Sequence, residues 1–177
     1  MTLLHTMVQY ATLWTIADIT EQKYISKKLQ HDWHKTYRMA TVGTLVVAPL
    51  VFGWIRLAER ISPGKHWFSV FRKVLMDQVV FAPIAVSSFY ASTCFMERKS
   101  LQQFQEEWKK KFPRTYINGM KIWPAVQLIN FSFVPIVHRP KVISCVSFGW
   151  SIYLCFQKED AHNEVYINIA SLSDSSH

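Results

Sequence analysis

The sequence predicts an all-α, multi-pass membrane protein: four to five kinked transmembrane helices in a bundle, with one amphipathic interfacial helix. Three observations carry this expectation. Hydrophobic residues fill 50% of the 177 positions and charged residues only 18%, where a soluble domain has about 25% charged. The apolar residues gather in blocks, and one block, Met39–Ile55, contains no charged residue. The excess positive charge, formally +8, lies between the blocks, as basic caps around membrane helices do. A mean hydropathy of +0.05 excludes a disordered chain. A nucleic-acid binder would interleave its basic residues along one face, so nucleic acid is not an expected partner.

The first block, Leu3 to Ile19, is interrupted by His5, Gln9 and several threonines and is a weak span. Met39–Ile55 sits at the short end of the roughly 17–25 residues that cross hydrocarbon. Val74–Met96 is longer and carries a single charge, Asp77. Ile122–Val137 and Val142–Phe156 are short, separated by His138-Arg-Pro-Lys141, and read as a tilted hairpin or a re-entrant pair. Ser62-Pro63-Gly64 is a turn: proline fixes φ and the glycine accepts φ > 0. Between Ser100 and Phe112 a capping box, Ser100 with Gln103, opens a helix. Leu101, Phe104, Trp108 and Phe112 then recur at helical spacing. Such a helix suits a membrane surface and equally suits the end of a bundle that it covers. The expected organisation is one helical membrane domain over 1–156 and a polar, acidic, disordered tail over 157–177, in which one basic residue faces four acidic ones.

Polar side chains inside the apolar blocks need partners or water. Asp18 and Gln22 are four apart and share a helix face with Thr15 and Ala11. Asp77 shares a face with Phe81, Ala85, Ser88 and Ser92, and Gln127 lies three residues before Asn130. Facing one another, these stripes line a wet path; packed more tightly, they are interhelical hydrogen bonds. Pro49, Pro83, Pro124 and Pro135 each remove a backbone donor and kink their helix. The freed carbonyls then need protein or water partners.

A search for chemistry finds little. His31 and His34 in H-D-W-H have the i, i+3 spacing of a metal pair, with no further ligand nearby. Nucleophile-elbow, zincin and phosphate-loop motifs are missing. Cys94, Cys145 and Cys155 lie in apolar stretches and read as small buried hydrophobes. No cofactor, metal or catalytic residue is expected, and the protein is not expected to be an enzyme.

The stretch Trp123-Pro124-Ala-Val-Gln127-Leu-Ile-Asn130-Phe131-Ser-Phe-Val134-Pro135 resembles the signature of the family that joins the Mpv-seventeen protein and the twenty-two-kilodalton peroxisomal membrane protein. Asp18 with Gln22, the Arg60-Ile-Ser-Pro63-Gly64 turn, and Asp77-Gln78 followed by Ala82-Pro83 agree with that family in order. The resemblance implies a protein of the peroxisomal membrane or the mitochondrial inner membrane. It also implies an association with channel behaviour, reactive oxygen metabolism and mitochondrial or peroxisomal homeostasis. The motif positions it transfers are Asp18, Gln22, Asp77, Gln78, Trp123, Pro124, Gln127, Asn130 and Pro135, as pore or motif candidates. Beyond the lipid bilayer, a second copy or a protein partner stays open. A small-solute channel or channel modulator is the first expectation, and a non-conducting protein that protects the organelle through a bound partner is the alternative.

Overall fold

The computed structural model describes residues 2–64, 66–133, 142 and 145–158, with only the backbone of Asn130, Phe131 and Ser132. Pro135 and tail residues 159–177 lie outside the described residues. So do the connection at His138–Lys141 and the ends of the two blocks that flank it.

Among the described residues all regular structure is helical, in five helices. Helix α1 runs Leu3–Thr20 and continues as a π turn, Glu21–Ile25. Helix α2 is Trp33–Ile61 and α3 is Trp67–Met96. Helix α4 is Leu101–Phe133, and α5 covers 145–158. Each start has a chemical reason. The Asp32 carboxylate accepts from the Lys35 amide at 3.0 Å and caps α2. At α4 the capping box forms as expected: the Ser100 amide donates to Gln103 Oε1 at 2.8 Å and the Gln103 amide to Ser100 Oγ at 3.3 Å. The Ser62–Gly64 turn is present, with Gly64 at φ 92° and the Ser62 and Ser69 hydroxyls 2.9 Å apart across it.

Two of the prolines are accommodated in one way. Gly43–Val47 in α2 and Asp77–Phe81 in α3 are π turns, and each is followed at once by an Ala-Pro pair, Ala48-Pro49 and Ala82-Pro83. The extra residue widens the helix where the proline ring would otherwise meet the preceding turn. In the wider register the Ala82 amide bonds to the Asp77 carbonyl. The next carbonyl in that register, Gln78, faces Pro83, which has no N–H. Tyr116 on α4 supplies the missing donor, its hydroxyl 2.9 Å from the Gln78 carbonyl oxygen.

Packing is inverted relative to a water-soluble protein. Asp18, Glu21, Gln22, Lys35, Glu107, Lys111 and Lys158 are buried, whereas Leu45, Ile55, Phe68, Phe71, Leu75, Val79 and Ile84 are exposed. Helices α2 and α3 are, among the described residues, the two that are long and apolar enough to cross a membrane. Only 17% and 28% of their most apolar windows is buried by protein. A soluble core helix would bury that surface; here lipid is the solvent that suits it.

The sequence-based segments shift in two places. The amphipathic stretch is not a separate interfacial helix: it is the first half of α4, which runs on through Pro113 and Pro124. Phe104, Trp108 and Phe112 pack on the bundle core, while Leu101 is exposed. Of the two roles open to it, this stretch therefore takes the bundle cover. At the other end, Gln157 and Lys158, read as the start of the tail, form the buried last turn of α5.

Candidate functional site

Most of the buried polar residues fall into three groups. The first joins α1 to α2. Gln22 Nε2 donates to Asp18 Oδ2 at 2.7 Å and to the Asp32 carbonyl at 3.1 Å, while its Oε1 accepts from the Asp32 amide at 2.7 Å. Thr36 donates to Asp18 Oδ2 at 2.7 Å, and Lys35 Nζ reaches Glu21 Oε2 at 2.6 Å. Every member of Asp18, Glu21, Gln22, Lys35 and Thr36 is buried. One glutamine thus holds both the aspartate of its own helix and the first turn of the next. Asp18 and Gln22 do not line a common path with the other motif residues; they clamp the α1–α2 connection.

The second group closes the bundle end formed by α3, α4 and α5. Lys158 Nζ lies 2.6 Å from Glu107 Oε1 and 3.0 Å from Glu97 Oε2. Lys99 Nζ lies 2.7 Å from Glu107 Oε2 and 2.9 Å from Glu97 Oε2. Burial pushes the Glu107 carboxyl up, but Lys158 and Lys99 outweigh it and hold the group down at about 2. The same balance lowers Glu97, where Lys158 is the main opposing charge. Among the described residues, Cys94, Glu97 and Glu107 are the three-ligand grouping compatible with a metal ion. The Lys158 ammonium already stands among them, 3.5 Å from Cys94 Sγ. Of the two histidines with i, i+3 spacing, His31 bonds to Thr36 Oγ1 at 2.8 Å and His34 is exposed.

The third group is the candidate site. A cavity of about 440 Å³ lies between all five helices. Asp77, Gln78, Trp123 and Gln127, four of the motif positions, line it. Asp77 lies in the π turn of α3, and Trp54 of α2 donates its indole N–H to Asp77 Oδ1. Gln127 of α4 hydrogen-bonds the same carboxylate. Trp54 stacks on Phe81, ring centroids 5.1 Å apart, and Trp123 meets Trp150 edge-on at 6.1 Å. At one rim Lys73 Nζ binds the Glu59 carboxylate and, at 3.2 Å, the Gly64 carbonyl. Pro124 is half-buried within α4.

The expected stripe along α3 is only partly right. Asp77, Phe81 and Ala85 face the cavity, but Val86 and Phe89 follow them instead of Ser88 and Ser92. The additional residue of the π turn rotates the face, and Ser92 bonds back to the Ser88 carbonyl at 2.6 Å. Helix α3 also begins seven residues before the apolar block, so Asp77 is ten residues inside it, about 15 Å from its start.

Trp54, Tyr116, Glu107 and Lys158 were not singled out from sequence. Trp54 had the one available signal, a hydrogen-bond donor within a charge-free block.

Comparison with known proteins bears on all three groups. The profile of the Mpv17 / PMP22 family matches residues 94–155, which span α4 and most of α5. The chain is 37% identical to the Mpv17-like protein of Bos taurus over 129 residues, 73% of this chain and 65% of that protein. It is 34% identical to the Mpv17-like protein of Xenopus laevis over 157 residues, covering 88% of this chain and 76% of the relative. It is 32% identical to the mitochondrial inner membrane protein Mpv17 of Rattus norvegicus over 148 residues, covering 82% and 84%. No solved structure matches the chain. The cavity motif on α4 lies inside the matched profile, Asp77 lies within the length shared with these relatives, and the lipid-facing apolar surface suits proteins named for a membrane: the chain belongs to the Mpv17 / PMP22 family.

Proposed function

We propose that the protein forms, or modulates, a pathway for small solutes through the mitochondrial inner membrane or the peroxisomal membrane, and performs no covalent chemistry. The observation that carries this is the central cavity with Asp77, Gln78 and Gln127 on its wall. A carboxylate and two amides at membrane depth are expensive unless they serve packing or a wet path. In this reading four to five of the five helices cross the bilayer, α2 and α3 among them, and together they surround the path. The proposed role in reactive oxygen metabolism and organelle homeostasis follows from solute exchange across that membrane. The chain spans 65% of the bovine relative's length, so this activity is proposed for the region described here.

A second reading has its own support. The Asp18 clamp and the Glu107 cluster draw their hydrogen bonds and ion pairs from within the bundle, as in a packed, non-conducting bundle that acts through a bound partner. Purified protein in liposomes loaded with a self-quenched small fluorophore separates the two. Solute-dependent release that scales with protein content supports the pathway. Intact vesicles with folded, integrated protein favour the partner-binding protein.

A further inference from the structure

We propose that the central cavity binds a primary organic ammonium ion with an apolar body, held by Gln78, Gln127 and Asp77. This rests on the cavity reading above but not on conduction. Gln78 is 8% exposed and lines the cavity, yet among the described residues no donor meets its side-chain oxygen. Gln127 Oε1, on the opposite helix, is equally unpartnered. Asp77, adjacent to Gln78 in the π turn, lines the same cavity, and its carboxylate accepts from Trp54 and Gln127 with lone pairs to spare. Besides Glu59, which pairs with Lys73, the cavity wall therefore presents one carboxylate and two amide acceptors. Among the described residues its one ammonium, Lys73, is committed at the rim to Glu59 and the Gly64 carbonyl. Trp14 Nε1–H is an unpartnered donor on the wall, but one neutral N–H does not balance that set.

An ammonium group fits this set in two ways. It has three N–H donors for three acceptors, and its charge complements Asp77. The rest of the wall is mainly aliphatic and aromatic, with Trp54, Phe81, Trp123 and Trp150, which suits an apolar body and the face of a cation. An acyl chain would leave all three acceptors unmet, at a cost no apolar contact offsets.

The test is calorimetric titration of 2-phenylethylammonium into the full chain in phosphatidylcholine nanodiscs, with empty nanodiscs as blank. The neutral isostere 2-phenylethanol and phenyltrimethylammonium, which lacks N–H donors, are titrated in parallel. Saturable binding of the primary ammonium, at least tenfold tighter than either analogue, is expected. Gln78→Leu should weaken it about tenfold, the loss of one hydrogen bond to a charged group. Gln127→Leu serves as the second variant should Gln78→Leu fail to fold by circular dichroism. Equal affinity for the alcohol, no saturable heat, or affinity unchanged in the folded variants would overturn the proposal, leaving the acceptors to water. Displacement by millimolar potassium alone would assign the site to an inorganic cation and overturn it too. Liposome release is measured separately, so a non-conducting protein that binds the ammonium refutes the pathway and not this site.

Discussion

Replacing Tyr116 by phenylalanine removes one hydroxyl and tests how the bundle tolerates a proline at membrane depth. The hydroxyl donates at 2.9 Å to the Gln78 carbonyl, the acceptor that Pro83 leaves without a donor in the π register. A buried carbonyl that loses its partner costs about 1–3 kcal/mol, and measured interhelical hydrogen bonds in membranes fall nearer about 0.6–2 kcal/mol. Tyr116→Phe should therefore destabilise by about 1–2 kcal/mol. The account makes a sharper demand in combination. Pro83→Ala restores an N–H at position 83, so Tyr116→Phe should cost almost nothing in that background. A double-mutant cycle measured by reversible denaturation in mixed micelles reads the coupling directly, and about 1 kcal/mol is expected. Additive effects, within about 0.3 kcal/mol, would refute the claim that Tyr116 compensates for Pro83.

Gly43→Ala should destabilise by about 1–3 kcal/mol, because a Cβ there would lie 2.4 Å from Trp14 Cγ and the buried Trp14 ring would have to shift and give up its packing. Combining it with Trp14→Leu should recover part of the loss in thermal unfolding, and an unchanged midpoint in Gly43→Ala alone would contradict the close approach. Glu107 is held at about 2, below its ordinary 4.5, so its stabilising effect is complete above that ordinary value and fades as pH falls from 4.5 toward 2. Glu107→Gln should flatten that acid limb in a circular dichroism titration and cost about 3 kcal/mol at neutral pH by breaking a buried pair; an acid limb of the same size in the variant would remove Glu107 from the cluster.

Helix content, the capping box at Ser100 and the turn at Ser62–Gly64 were legible because each depends on residues a few positions apart. The π turns were not. A 3.6-residue period cannot reveal one added residue, and the stripe drawn through Ser88 and Ser92 missed the cavity for that reason. The Ala-Pro pairs at 48–49 and 82–83 were the available sign that both helices needed widening. The start of α3 was misplaced because Arg72 and Lys73 ended the apolar block, although a lysine at a helix rim can bury its stem and pair with Glu59. The amphipathic stretch read from Ser100 ends at Phe112, yet packing against α3 carries α4 on through Pro113. In the candidate site, Asp77, Gln78, Trp123 and Gln127 were identified as motif positions and do converge. Asp18 and Gln22 were assigned to the same kind of stripe, and only the Asp32 backbone contacts, ten residues away, reveal a clamp. Trp54, 23 residues from Asp77, has no local pattern that points to its partner.

If the cavity is part of a conducting path with Asp77 on its wall, the reversal potential of purified protein in planar bilayers under a potassium chloride gradient depends on that carboxylate. Asp77→Asn keeps the side chain's shape and much of its hydrogen bonding while removing its charge, so the variant should fold and conduct. A lone carboxylate at a constriction attracts cations. The unmodified protein should therefore reverse toward the potassium equilibrium potential, and Asp77→Asn should reverse closer to zero. An unchanged reversal potential in a conducting variant, or silent bilayers containing folded, integrated protein, would contradict the account.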